Sequence, residues 1–137
     1  MGRPQVNITV DTNVLVRAVV GDDKKQAQAA AKLLKEAALI AVPLPCLCEL
    51  VWVLRRVYKF GQREIVMAIE ALVEAANVAV NRQAVDAGLA VLKAGGDFAD
   101  GLIAFDGEWL GGETFVSFDK RAVAVMAKQG RQTRLLS

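Results

Sequence analysis

Short β-prone runs recur along this chain at 6–10, 39–42, 78–80, 114–118 and 133–136, and helix-length segments separate them. That alternation argues for an α/β fold with a mainly parallel central sheet covered by helices on both sides. The runs are nearly continuous in apolar character, as expected where both sheet faces are covered. Helices are expected at 22–38, where Asp22 or Asp23 can cap, and at 45–60, with Pro45 in the first turn and Gly61 as the stop. A further helix spans 63–76, with Ile65, Ile69, Leu72 and Ala76 at helical spacing. Helices are also expected at 84–94, 100–110 and 120–129, ended by Gly95-Gly96, Gly111-Gly112 and Gly130. There is no repeat, low-complexity stretch or linker, and 137 residues fit a single domain over 1–137.

Composition narrows the class. The chain is 54% hydrophobic, above the ~45–50% usual for soluble domains, which supplies a core with some material left for an interface. No run approaches the ~20 apolar residues of a membrane helix. Residues 1–6 carry neither a leader pattern nor a myristoylation pattern, so a soluble cytoplasmic protein with no membrane partner is expected. Net charge is only +2. If acids gather in a cleft, the remaining surface is more positive, with Arg55, Arg56, Lys59, Arg63, Lys120, Arg121, Lys128, Arg131 and Arg134 as candidates. Cys46 and Cys48 have neither histidine nor further cysteines for a zinc site, and read as buried small hydrophobes. Trp52, Tyr58, Phe60 and Trp109 read as core side chains before interface ones.

Four acids stand where folding alone gives little reason for them. Asp11 ends the first apolar run, and Glu49 is the only charge between Ala41 and Leu54. Asp100 opens an apolar stretch, and Asp119 closes the run 114–118. A charge inside a buried segment is costly unless paired or metal-bound. The segment around Glu49 is apolar on nearly all sides and is expected to be buried. The helix dipole returns only ~0.3–1 kcal/mol there, small against the several kcal/mol of desolvation. Asp11, Asp100 and Asp119 each have an alternative as helix caps. In a parallel sheet ligands bind at the carboxyl ends of the strands, and Asp11 and Asp119 each follow a strand, so both are expected at one sheet edge. Asp97, three residues before Asp100, is a fifth candidate. Two carboxylates at ~4 Å repel by about 4 kcal/mol at an effective dielectric of 20, so a cluster needs a cation. Oxygen ligands in a chain without histidine favour Mg²⁺ or Mn²⁺, and such an ion activates water and stabilises charge on phosphate oxygens.

Four segments then resemble a known family in order. Val10-Asp11-Thr12-Asn13-Val14-Leu15-Val16-Arg17 resembles the opening motif of PIN-domain ribonucleases, specifically VapC-type toxins of toxin–antitoxin pairs. Glu49-Leu50-Val51-Trp52-Val53-Leu54-Arg55-Arg56 is similar to their second motif, Asp97-Phe98-Ala99-Asp100-Gly101-Leu102-Ile103 to the third, and Ser117-Phe118-Asp119-Lys120-Arg121-Ala122 to the fourth. The resemblance implies a Mg²⁺- or Mn²⁺-dependent endoribonuclease that hydrolyses RNA phosphodiester bonds. It implies Asp11, Glu49, Asp100 and Asp119 as catalytic and metal-holding acids, Asp97 as an assisting metal ligand, and Thr12, Asn13 and Ser117 as supporting polar residues. It also implies a homodimer, possibly within a larger toxin–antitoxin assembly, neutralised by a cognate VapB-like antitoxin. Gly101 and Ser117 stand where the family more often has Ala and Thr, and 104–113 differs from its commoner alanine-rich helix. The alternative from the residues alone is a non-catalytic acidic-pocket α/β module, such as a receiver-like domain; a DNA substrate is a further alternative within the nuclease class.

Overall fold

The computed structural model describes residues 6–137. The leader and myristoylation readings rest on residues 1–5 and so lie outside the described residues. The chain divides into two compact units between Val80 and Asn81.

The first unit runs β1 (Asn7–Thr9), α1 (Thr12–Val20), α2 (Lys24–Glu36), β2 (Leu39–Ala41), α3 (Leu44–Arg56), α4 (Gln62–Glu74) and β3 (Val78–Ala79). Its strands pair in parallel in the order β1-β2-β3, with Ile8 opposite Ile40 and Ile40 opposite Val78. Parallel neighbours need a crossover, supplied here by α1 and α2 and then by α3 and α4. Leu15, Ile40, Leu47, Leu50, Leu54, Ile65 and Ile69 are fully buried at its core. The Asn77 side-chain amide donates to the Leu34 and Ala37 carbonyls at 2.8 and 3.1 Å and so fastens the end of α2 to the start of β3.

The second unit runs α5 (Arg82–Lys93), α6 (Phe98–Trp109), β4 (Thr114–Ser117), α7 (Lys120–Lys128) and β5 (Gln132–Leu135). β4 and β5 are parallel, with Val116 opposite Arg134, and α7 is their crossover. Val91, Ala104, Val125 and Met126 form a buried cluster on which Phe115 packs. Phe98 is wholly buried, a burial that contributes about 1.5–3 kcal/mol.

The α/β class and the parallel pairing are as expected, and most elements fall within two residues of their expected bounds. Several expectations need correction. Residues 12–20 form a helix that the apolar string Val14-Leu15-Val16 did not announce. The helix expected to reach residue 60 ends at Arg56; the chain reverses through Lys59 at φ 59°, and Gly61 is the N-cap of α4 instead of a stop. The strands are divided between two sheets, so strand pairing among the described residues does not make the one sheet edge expected for Asp11 and Asp119. α3 is not buried all round. Leu47, Leu50, Val51 and Leu54, at i, i+3, i+4 and i+7, make a single buried stripe, and Glu49 lies on the exposed side. Trp52 and Trp109 are 59% and 74% exposed, outside the core assigned to them. Tyr58 and Phe60 are half-buried, as are the two cysteines. Tyr58 donates to Asp22 at 2.8 Å, and Arg17 pairs with the same carboxylate at 3.0 Å.

One contact fixes the geometry of α6. Gly101 lies against Gly88 of α5, so close that a Cβ on Gly101 would stand 2.5 Å from the Ala87 carbonyl oxygen and 2.6 Å from the Gly88 Cα. Both obstacles are backbone and cannot swing away. The glycine at 101 is therefore matched by a glycine across the helix pair. Gly101→Ala is expected to destabilise the protein by about 1–3 kcal/mol through overpacking, although alanine is the better helix former. Gly107, in the same helix, has open space around it, and Gly107→Ala is expected to stabilise by up to about 1 kcal/mol. Urea unfolding of the two variants checks the opposite signs; equal effects would refute this packing account.

Candidate active site

The site acids are placed mainly by helix starts. Asp11 is the N-cap of α1, and its Oδ1 accepts from the Val14 amide at 3.2 Å. Asp97 caps α6, with Oδ1 accepting from Ala99 N at 3.2 Å. Asp119 caps α7, with Oδ1 accepting from Arg121 N at 2.9 Å and Ala122 N at 3.2 Å. An aspartate directly after a strand is suited to this, because the cap residue keeps extended backbone while its carboxylate takes an orphan amide. In all three caps the bond is made by Oδ1, and Oδ2 takes no part in it.

In the first unit, Asp11 and Glu49 are brought near through their neighbours. Thr12 Oγ1 donates to Glu49 Oε2 at 2.8 Å, across 37 residues of sequence. The Cys46 thiol, one turn before Glu49, donates to the Val10 carbonyl at 3.6 Å. The start of α1 is thus tied to α3 at two points. Thr12 is half-buried, whereas Asp11, Asn13 and Glu49 are exposed. Asn13 is among the residues that line a shallow apolar hollow with Val14, Arg17 and Ala30.

In the second unit, Asp97, Asp100 and Asp119 interact. Asp100 sits in the first turn of α6, half-buried, beside the residue that packs on Gly88. Burial raises the proton affinity of its carboxyl above the ordinary carboxylate value, and the like charges of Asp97 and then Asp119 raise it further. Ser117 Oγ accepts from the Asp119 amide at 2.9 Å and so fixes the turn from β4 into α7. Phe118, between these two residues, is 71% exposed and is not among the sequence candidates. Its phase on the strand, outward with Thr114 and Val116, was the readable signal.

The premise that these acids are charges inside buried segments is therefore corrected: no charged side chain among the described residues is buried, and of the five acids Asp100 alone is half-buried. Their caps and their mutual repulsion take its place. The donor set suits a hard divalent cation, because it is all carboxylate oxygen, histidine is absent, and the like charges of Asp97 and Asp119 act on Asp100 in a way a cation offsets. Among the described residues, no three acids or thiols stand close enough in this arrangement to share an ion directly. A hollow of the first unit, about 600 Å³, is apolar and lies between Val19, Leu34, Phe60, Met67 and Leu72.

The raised affinity of Asp100 has a measurable consequence. The folded protein keeps this proton to higher pH than the unfolded chain, so the contribution of Asp100 to stability falls as pH rises from the unfolded value, about 3.9, through the raised folded one. In metal-free buffer Asp100→Asn is expected to raise the melting temperature at pH 7 and leave it unchanged near pH 3. A difference independent of pH would contradict the burial and repulsion assigned to this carboxyl.

With this geometry established, two comparisons bear on identity. No match is found among curated proteins. The model of the PIN domain family matches residues 8–128, a span that takes in Asp11, Glu49, Asp97, Asp100 and Asp119. A match over most of the chain shows the family: this protein belongs to the PIN domain family.

Proposed function

We propose that this protein is a metal-dependent endoribonuclease of the VapC type, a cytoplasmic toxin held in check by a cognate antitoxin. PIN domains are in general nucleases and generally use divalent metals. The observation that carries the reading furthest is the half-buried Asp100 carboxyl with the like charges of Asp97 and Asp119 acting on it, which a cation would relieve.

In this reading Asp11, Glu49, Asp100 and Asp119 hold the ion, and Asp97 assists. Bound Mg²⁺ or Mn²⁺ would supply an activated water and neutralise charge gathering on the phosphate oxygens. The rest is the work of the chain itself. Thr12 holds one oxygen of Glu49. Helix-start amides fix the Asp11, Asp97 and Asp119 carboxylates through Oδ1. Ser117 fixes the backbone of Asp119. No histidine base exists in the chain, and none is required. The receiver-like alternative needs an acidic neighbour to Asp11; residue 10 is a buried valine, and residue 12 is a threonine bonded to Glu49.

The apolar hollow between α1, α2 and α4 is of a kind that takes an apolar antitoxin segment, and exposed Trp52, Val57, Trp109 and Leu110 are available to a homodimer or a larger assembly. RNA is preferred to DNA on the resemblance of the four motifs.

Purified protein free of antitoxin is expected to cleave labelled RNA in Mg²⁺ or Mn²⁺ and to stop on chelation. Asp11→Asn and Asp119→Asn are expected to lower the rate by at least about 100-fold, the scale of losing a group that stabilises transition-state charge. Their folds should survive, because asparagine caps a helix about as well as aspartate. Asp119→Ala is expected to lose cleavage and also about 1 kcal/mol of stability with the cap. Wild-type protein that leaves RNA intact, or an Asp11→Asn variant as active as wild type, would refute the proposal.

A further inference from the structure

We infer that Phe118 is a base-stacking platform that seats one nucleotide of a single-stranded RNA beside the acids of the second unit, with Lys120 and Arg121 as its phosphate contacts. The inference rests on the ribonuclease reading above and adds to it a residue that positions substrate.

Exposed apolar residues are common and need no explanation singly. The place of Phe118 is what distinguishes it. It is 71% exposed at the end of β4, directly between Ser117, which fixes the following turn, and Asp119, whose carboxylate is held by two helix-start amides. The outward face of the strand continues it: Val116 is 49% exposed, and its register partner Arg134 on β5 is exposed as well. Lys120 and Arg121 follow, both exposed. The Arg121 guanidinium lies over Gly95, in the turn that leads to Asp97, at 3.6 Å from where a Cβ would stand. One exposed ring is thus flanked by cations on α7 and β5 and stands next in sequence to a site acid. Strand binders without base-specific contacts use this combination, with aromatic faces for bases and cations for the backbone. The other exposed aromatic of this unit, Trp109, is at the opposite end of α6, nine residues or roughly 13 Å along the helix from Asp100. Arg131, though basic, is committed to Glu108 at 2.8 Å. Phe118 is therefore the aromatic placed to set a nucleotide against these carboxylates.

The test is the binding of a fluorescein-labelled single-stranded RNA, followed by anisotropy on the full chain carrying Asp11→Asn to prevent cleavage. Phe118→Ala is expected to weaken binding about 5- to 150-fold, the range of one lost base stack, and Phe118→Trp to restore it. On a ribose-phosphate strand of the same length without bases, Phe118→Ala should change nothing, whereas Arg121→Ala should weaken both strands and flatten the salt dependence. Equal affinity of Phe118→Ala for the RNA overturns the inference. So does an equal loss on the baseless strand, which would mark a structural effect. Unchanged RNA affinity with altered sedimentation would assign the ring to a second copy of the chain and also overturns it. If the Asp11→Asn protein with Phe118 intact binds no RNA, the ribonuclease reading falls together with this one; if wild type cleaves RNA and only the Phe118 variants are silent, this inference alone falls.

Discussion

Amide groups at helix starts are the constraint on which the candidate site depends. Three of its five acids hold a helix N-cap through one carboxylate oxygen, so their side chains are oriented before any ligand arrives. Capping and chemistry are often weighed as rival explanations of an aspartate after a strand. Here the two are compatible, because each cap bond is made by Oδ1 and leaves Oδ2 out of it. Asp100 differs. It takes its place from its position in the first turn of α6, and it carries the burial and repulsion that its neighbours impose.

That repulsion depends in turn on a backbone contact. Gly88 and Gly101 let α5 and α6 approach to a distance that a methyl group on Gly101 would prevent. The same approach buries Phe98 and Leu102 and draws the first turn of α6, with Asp97 and Asp100, onto the packed side of the second unit. The small-residue pair, next to Asp100 in sequence, thereby sets how closely that turn of α6 packs on α5. In the first unit, the corresponding work is done by polar links, the Thr12 bond to Glu49 and the Cys46 bond to Val10.

Much of this was legible in the sequence, and the reasons for what was not are physical. The alternation of strand and helix is a period signal, and it located all five strands and six of the seven helices among the described residues. The helix α1 was hidden because Val14 and Val16 are β-prone singly and form a helix under tertiary contact, with Leu15 and Val16 buried. The end of α3 was hidden because a positive φ at Lys59 is invisible in a residue type that rarely adopts it. The acids stood out in the sequence partly for a reason that the structure corrects. Glu49 looked buried only because its helix is rich in apolar residues on both faces; the outward Trp52 shows that apolar content and burial are different things. Long-range pairs such as Thr12 with Glu49 leave no local trace at all.

The central claim is that these carboxylates are held ready for a divalent cation. The most direct measurement is the melting temperature of the full chain titrated with Mn²⁺. Wild type should gain stability with each increment of the ion, about 2.7 kcal/mol when Mn²⁺ reaches a hundred times its dissociation constant, and Asp100→Asn should lose most of that gain. A melting temperature indifferent to millimolar Mn²⁺, or one that rises equally in Asp100→Asn, would contradict the account.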